Sequence, residues 1–361
     1  MLCSSLNKCY SYVIRIVCGK YFGGVLMADY PKRAKLLLLL DYFTKYTDEH
    51  NPKKMNDILE YLRSNGIEAE RKAIYSDINL LRDLGYDIVK TSDGGAAYFL
   101  GERAMEIAEA EICASAVSAA KFITQKKSAQ LINKLGSFFS NAQQKTFRER
   151  LELVRTLKTK DEEIYYNIDK IVQALSAAKK ISFLYFEYMP DKTLRLRKEG
   201  RRYFASPYSL MWFEDAYYLV CNIDKYDNLS HFRLDRMTKV EVTGETVRNI
   251  NEVSEYKNYI DFDEYHRSVF SMFGGEMRTV RIRFRDELAT AVYDRFGLDV
   301  SVSNIKDGWF TVSVNVRVSP GFLSWLTIFG DKAEVLSPDD LRSDIKALAD
   351  SLSKLYEDDK R

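Results

Sequence analysis

Ala216-Tyr217-Tyr218-Leu219-Val220 and, a short way on, His231-Phe232-Arg233-Leu234-Asp235-Arg236-Met237 are the two stretches on which the reading of this chain turns. The first is rich in aromatic and branched residues and reads as a strand by β-propensity. The second alternates polar with apolar residues, the period of a half-buried strand. On such a strand His231, Arg233 and Asp235 share one face, and Phe232, Leu234 and Arg236 the other. That arithmetic sends the two arginines opposite ways unless a bulge intervenes. Residues 181–188 and 205–212 read as further short strands. Short strands at regular spacing argue for a small barrel or a tightly bent sheet.

Between the first two of these strands lies a basic stretch. From Lys179 to Arg202 there are eight Lys and Arg against three acids. Leu194 and Leu196 alternate with Arg195 and Arg197, so one strand face is cationic. Arginine presents a planar fork to phosphate and stacks on bases, and tyrosine adds a stacking face with a hydroxyl. The plainer alternative is that Tyr217, Leu219 and Phe232 are core and that Asp235 and Arg236 form a structural ion pair.

Upstream, Leu36, Leu39, Leu40 and Phe43 recur at helical spacing after Pro31, a good first-turn residue. Asn56 is positioned to cap a second helix that carries Ile58, Leu59 and Leu62. A third helix over about 70–84 places Ile74, Ile78 and Leu81 on one face, and Gly85 stops it. Residues 86–90 and 97–100 read as two strands joined by Ser92-Asp93-Gly94-Gly95, a hairpin turn. Three helices and a hairpin over 31–101 make a winged helix-turn-helix. Arg71, Lys72, Tyr75, Ser76 and Asn79 lie opposite or beside the apolar face of the third helix, where a major groove is read. Lys32 and Arg33 at the first helix, and Lys90 on the wing, are placed for phosphates. A solvated helix face in a protein interface is the alternative.

Residues 66–78 resemble the recognition-helix segment of DeoR-type bacterial regulators. The chain keeps Arg71, Ile74 and Asp77 of that pattern and departs from it at Glu70, Ala73 and Ser76. The stretches 207–210, 216–220 and 232–237, with the Tyr185 strand before them, resemble the WYL domain. The family's Trp-Tyr-Leu stands here as Tyr217-Tyr218-Leu219. That resemblance implies a small Sm/SH3-like β-barrel over about 181–245 that senses a ligand in bacterial regulators. The implied ligands are nucleotides or single-stranded nucleic acid. It also implies ligand contacts from Tyr185, Arg202, Ser209, Tyr218, Arg233 and Arg236, with Asp235 orienting an arginine.

Residues 103–180 read as helices rich in Ala, Ile and Glu, either a spacer or a dimerisation element. From about 255 the order is a helix over 262–273, then β-α-β-β-α-β and a last helix, which suggests a ferredoxin-like layer. Residues 323–342 resemble the C-terminal extension (WCX) often found after WYL domains. Arg281, Arg283 and Arg285 alternate outward on a strand and are candidates for a nucleic-acid surface or a solvated sheet face. The fold class is therefore α+β: winged helix, helical linker, small barrel and ferredoxin-like domain.

The 361 residues carry a net charge of only +2, so any nucleic-acid binding must be local. Three of the five cysteines precede Met27. Residues 1–27 read as a disordered tail or a start placed too early. No uncharged apolar run reaches membrane length. Free cysteines without a pairing pattern fit a cytoplasmic protein. No P-loop, Rossmann, zincin or hydrolase motif is present, and the three histidines are scattered. We therefore expect no catalytic residue, metal or cofactor. The expected partners are duplex operator DNA, a nucleotide or single-stranded effector and a second copy in a homodimer, with no membrane. The alternative is a sensor of the same ligands that acts through protein partners without reading duplex DNA.

Overall fold

The computed structural model describes residues 31–92, 95–151, 158–159, 162–253 and 261–356; residues 1–27, and the hairpin tip at 93–94, lie outside them. The chain is mixed α and β and divides into two compact units, Met1–Lys158 and Thr159–Arg361.

The first unit begins with α1 (Pro31–Tyr46), β1 (Lys53–Lys54), α2 (Met55–Ser64) and α3 (Arg71–Asp83), followed by β2 (Ile88–Thr91) and β3 (Ala97–Leu100). The three strands pair in the order β1-β3-β2. Leu39, Phe43, Ile58, Leu62, Ile74, Ile78 and Leu81 form the core at essentially zero exposure. Burying such a side chain contributes roughly 1.5–3 kcal/mol. Asn56 does not cap α2, contrary to the expectation from sequence. The helix starts at Met55, and Asp57 Oδ2 accepts from the Lys54 N–H at 2.9 Å. β1 has no counterpart in the sequence pattern, because two residues are too short to show a period.

Residues 103–151 are not a bare spacer. Arg103 donates to the carbonyls of Thr44 and Thr47, at the end of α1 and just past it, and to that of Phe138. Ser140 Oγ donates to buried Asp48. Between them run α4 (Ile107–Ala119) and α5 (Gln125–Gly136), with α6 (Asn141–Leu151) after. Thr124 caps α5 by accepting from the Lys127 N–H.

The second unit opens with α7 (Glu163–Ala177). A sheet follows, of β4 (Lys179–Tyr188), β5 (Leu194–Leu196), β6 (Tyr203–Phe213), β7 (Ala216–Asn222), β8 (Ser230–Arg233) and β9 (Met237–Thr246). Its order is β5-β4-β6-β7-β8, and β9 returns to pair with β4. The strand expected over 231–237 is broken. β8 ends at Arg233, and Leu234–Arg236 make a 3-10 turn before β9. Helix α7 is pinned to the start of β9. Buried Asn167 Nδ2 donates to the Met237 carbonyl at 2.9 Å, and Glu163 accepts from Thr238 Oγ1 at 2.8 Å and the Lys239 N–H at 2.7 Å.

The remainder comprises α8 (Phe262–Ser268), β10 (Glu276–Arg285), α9 (Ala289–Phe296), β11 (Ser301–Lys306), β12 (Trp309–Val318), α10 (Pro320–Thr327), β13 (Ala333–Ser337) and α11 (Asp339–Leu355). The strands form one antiparallel sheet in the order β11-β12-β10-β13. One face packs Val280, Ile282 and Phe284 with Phe310, Val312 and Phe322. The first helix of this region does not run to 273 as its sequence suggests. It stops at Ser268, because Ser271 (φ 49°) and Met272 (φ 56°) turn left-handed and Phe273 donates back to the Phe270 carbonyl. Neither is the glycine that would announce such a turn.

Candidate nucleic-acid interface and ligand site

Two separate groups of side chains carry the chemistry, one in each unit. On α3, burial of Ile74, Ile78 and Leu81 fixes which face looks outward. Arg71, Lys72, Tyr75, Ser76 and Asn79 are all exposed there, as is Lys90 on β2. Arg71 Nη2 donates to Asn56 Oδ1 at 2.5 Å, which steers the guanidinium toward the first turn of α2. Glu70 occupies the cap position and makes no side-chain capping bond. Two carboxylates, Glu68 and Glu70, thus stand at the end of the helix that carries the cations. Lys32 and Arg33 lie in the first turn of α1.

In the second unit, the β7–β8 register sets Tyr218 directly opposite Arg233. The Arg233 backbone N–H donates to the Tyr185 hydroxyl at 3.3 Å. The Arg233 side chain is held by Asp235, with Nε to Oδ1 at 3.0 Å and Nη2 to Oδ2 at 2.8 Å. The ion pair is therefore Asp235 with Arg233, not with Arg236 as the plainer sequence alternative has it. Asp235 and Arg233 lie two residues apart, on the side the strand alternation assigns to both, and the pair persists although Asp235 lies in the 3-10 turn. Asp235 also holds the Arg233 guanidinium more firmly protonated, chiefly through the hydrogen bond.

Arg236 belongs to the same cluster. Burial pushes the Tyr185 and Tyr218 hydroxyls upward in pKa, and both Arg233 and Arg236 are close enough to pull each of them partly back. Arg236 Nε is buried and has no hydrogen-bond partner among the described residues. A buried donor left unmade costs about 1–3 kcal/mol. Such groups call for a cause in the native structure, a ligand among them.

Two of the expected ligand residues are not drawn into this cluster. Arg202 is occupied elsewhere: its Nε donates to Ser182 Oγ at 3.1 Å, Nη2 to the Lys239 carbonyl at 2.6 Å, and Glu241 pairs with it at 3.1 Å. Ser209 sits just past a bulge in β6 and, among the described residues, reaches the Leu210 carbonyl at 3.4 Å.

Other residues do join it. Phe183, Tyr185, Tyr203 and Phe232 pack edge-on or stacked with centroids 5.0–6.3 Å apart. The Arg197 guanidinium lies 5.9 Å from the Tyr185 ring and the Lys198 ammonium 3.8 Å from that of Tyr203. Three successive left-handed residues, Lys198, Glu199 and Gly200, aim that lysine. Glu187 accepts from Arg195 at 2.7 Å and pairs with Arg197 at 3.3 Å. Glu187, Arg195, Arg197, Lys198 and Tyr203 line a cleft of about 470 Å³. The basic stretch is visible in the sequence, but its fold back over the tyrosines is not.

Residues 166–242 match the WYL domain and residues 276–353 the WCX domain, so the chain carries both. Among solved structures it is similar to proteasome accessory factor B/C (PafBC) of Arthrobacter aurescens. The two share 15% identity, the match covers 94% of this chain and 51% of that one, and the TM-score is 0.29. The chain thus spans about half the length of that protein. It is also similar to a structure described as a CRISPR Cas-related protein, at 15% identity over 96% of this chain and 92% of that one, with a TM-score of 0.34. No curated protein matches. Among the described residues no helix is long and apolar enough to cross a membrane.

Proposed function

We propose that this protein is a DNA-binding transcriptional regulator whose WYL domain senses a nucleotide or single-stranded nucleic acid. The observation that carries the reading is the cluster of Tyr185, Tyr218, Arg233 and Arg236, with one guanidinium forked on Asp235 and the other holding an unpartnered buried N–H. Two arginines beside two tyrosines fit a phosphate joined to a stacking group.

Helices α1 to α3 with β1 to β3 form the winged helix-turn-helix in this reading, and α3 enters the major groove. Its support is the exposed face from Arg71 to Asn79, laid out opposite the buried isoleucines. The regulator acts as a homodimer on an inverted repeat. Ile112 on α4, 72% exposed, is an apolar group that a second copy would cover. The effector switches the protein only if it binds one DNA-affinity state better than the other. No catalytic step, metal or cofactor enters.

The test uses the full chain and duplex DNA from its own upstream region. Anisotropy is followed against salt, with and without short oligonucleotides, for the wild type and Arg233→Ala. Salt-sensitive duplex binding that oligonucleotides alter only when Arg233 is intact supports the reading. Retained oligonucleotide binding with no duplex binding at low salt would instead favour a sensor that acts through a protein partner.

A further inference from the structure

The WCX sheet packs its helices on one face; the other is buried at Arg317, which lies over the Tyr265 ring, and exposed toward Arg281, Arg283 and Arg285. Along β10, Val280, Ile282 and Phe284 point into the core while Arg281, Arg283 and Arg285 are exposed on the opposite face. The ladder sets these arginines in rows with their neighbours. Arg285 lies beside Trp309, which lies beside Lys306; Arg283 lies beside Thr311, then Ser303. Arg281 lies beside Ser313, then Ser301. On β12 and β11 these rows hold hydroxyls, Lys306 and the tryptophan, with Thr311 buried beneath the others; on β13 the row through Arg283 ends in Glu334.

The cations are also arranged. The Arg285 and Arg283 guanidiniums lie 4.2 and 4.8 Å from the centroid of the Trp309 ring. Glu334 at the strand edge pairs with Arg283, and Arg342 shares that carboxylate at 3.1 Å. Arg281 and Arg285 have no ion pair among the described residues. Arginines on alternate positions of one strand stand about 6.7 Å apart and repel one another. Glu334 offsets that repulsion at Arg283 and the Trp309 ring offsets part of it at Arg285; a polyanion would relieve what remains at Arg281 and Arg285.

We infer that this open face of the WCX sheet, centred on Arg281, Arg285 and Trp309, is a binding surface for single-stranded nucleic acid, separate from the Tyr185–Arg236 cluster. Charge selects a polyanion. The tryptophan beside the arginines selects one with bases to stack, and the exposed Ser301, Ser303 and Ser313 supply neutral hydrogen bonds to phosphate or base edges. Duplex DNA does not fit, because its grooves admit a helix or ribbon rather than a broad sheet, and its bases are already stacked. Four-stranded sheets that stack unpaired bases on their open face are an established mode of single-strand recognition.

The experiment uses the full chain with Arg233→Ala and Arg236→Ala, which removes the other cluster, and a fluorescein-labelled ten-nucleotide oligothymidylate. Arg281→Gln with Arg285→Gln is then added, both at exposed positions. We expect binding to weaken at least tenfold and the slope of log affinity against log salt to shrink by about 1.4, for two phosphates no longer neutralised. A bromouracil-substituted oligonucleotide should photocrosslink to the Trp309 strand. Unchanged affinity and slope, crosslinks that avoid residues 309–313, or loss of all binding in the Arg233→Ala/Arg236→Ala background would each overturn the inference. The last of these would leave the WYL reading intact. Oligonucleotide binding that needs Arg281 and Arg285 but ignores Arg233 and Arg236 would uphold the inference and remove the WYL reading. Capture by anionic lipid vesicles without oligonucleotide binding would overturn it in favour of a membrane surface.

Discussion

Asp235 grips Arg233 with both carboxylate oxygens, at 3.0 and 2.8 Å, across a turn of only two residues. The grip fixes the plane of the guanidinium beside Tyr218 and Tyr185. With about a third of Arg233 and a fifth of Asp235 exposed, the pair itself stabilises little. Arg233→Ala should therefore lower unfolding stability by less than about 1 kcal/mol while weakening oligonucleotide binding tenfold or more. Urea unfolding and anisotropy on the same preparation check both halves.

Glu70 places a carboxylate at the end of α3 that should meet DNA and makes no capping bond there. A serine at this position would cap the helix and remove one like charge from the phosphates. Glu70→Ser should raise stability by about 0.5–1 kcal/mol and tighten duplex binding several-fold at low salt. Paired Arg71→Ala and Lys72→Ala changes should weaken duplex binding and flatten its salt dependence, by about 0.9 in slope for every phosphate that no longer meets a cation. Anisotropy titrations across a salt series measure both effects.

His231 lies on β8, with Nε2 2.5 Å from the hydroxyl of buried Tyr265. Burial, with Arg317 nearby, pushes its pKa down to about 4 from the usual 6.5. In the folded chain the ring is neutral where the unfolded chain already binds a proton. Stability is therefore full above about pH 6.5 and falls as pH drops toward 4, by about 2 kcal/mol at pH 5. His231→Gln should flatten that dependence in urea unfolding at pH 7 and pH 5.

Gly275 lies against the end of β12, where an added Cβ would sit 2.1 Å from the Val318 carbonyl oxygen. That neighbour is backbone and cannot swing aside. Gly275→Ala should destabilise the second unit by about 1–3 kcal/mol, whereas Gly244→Ala, with open space around it, should be near neutral. Thermal unfolding of the two variants side by side decides the matter.

Much of the architecture is legible in the chain because apolar residues keep their periods. Ile74, Ile78 and Leu81 announce α3, and Val280, Ile282 and Phe284 announce β10 with its outward arginines. The Tyr185, Tyr218, Arg233 and Arg236 cluster follows from a family resemblance rather than from spacing. What escapes a reading of the sequence is every feature that departs from a period without a marker residue. Arg233-Leu234-Asp235-Arg236 alternates as faithfully as any strand, yet its last three residues coil into a 3-10 turn. Met272 and Lys198 adopt left-handed backbone with no glycine at their own positions to signal it. Arg202 stays out of the cluster because Ser182, Lys239 and Glu241 already occupy its guanidinium, which neither the resemblance nor the sequence shows.

The bond from the Asn167 amide to the Met237 carbonyl has a mechanical side. Met237 directly follows Arg236, so the helix and the arginine turn are joined by a rod one peptide long. With Glu163 gripping the next two residues, any pull on the turn is delivered to the first half of α7 as a push or twist rather than absorbed as slack. A tether so short would pass any displacement of the turn on to a fifteen-residue lever.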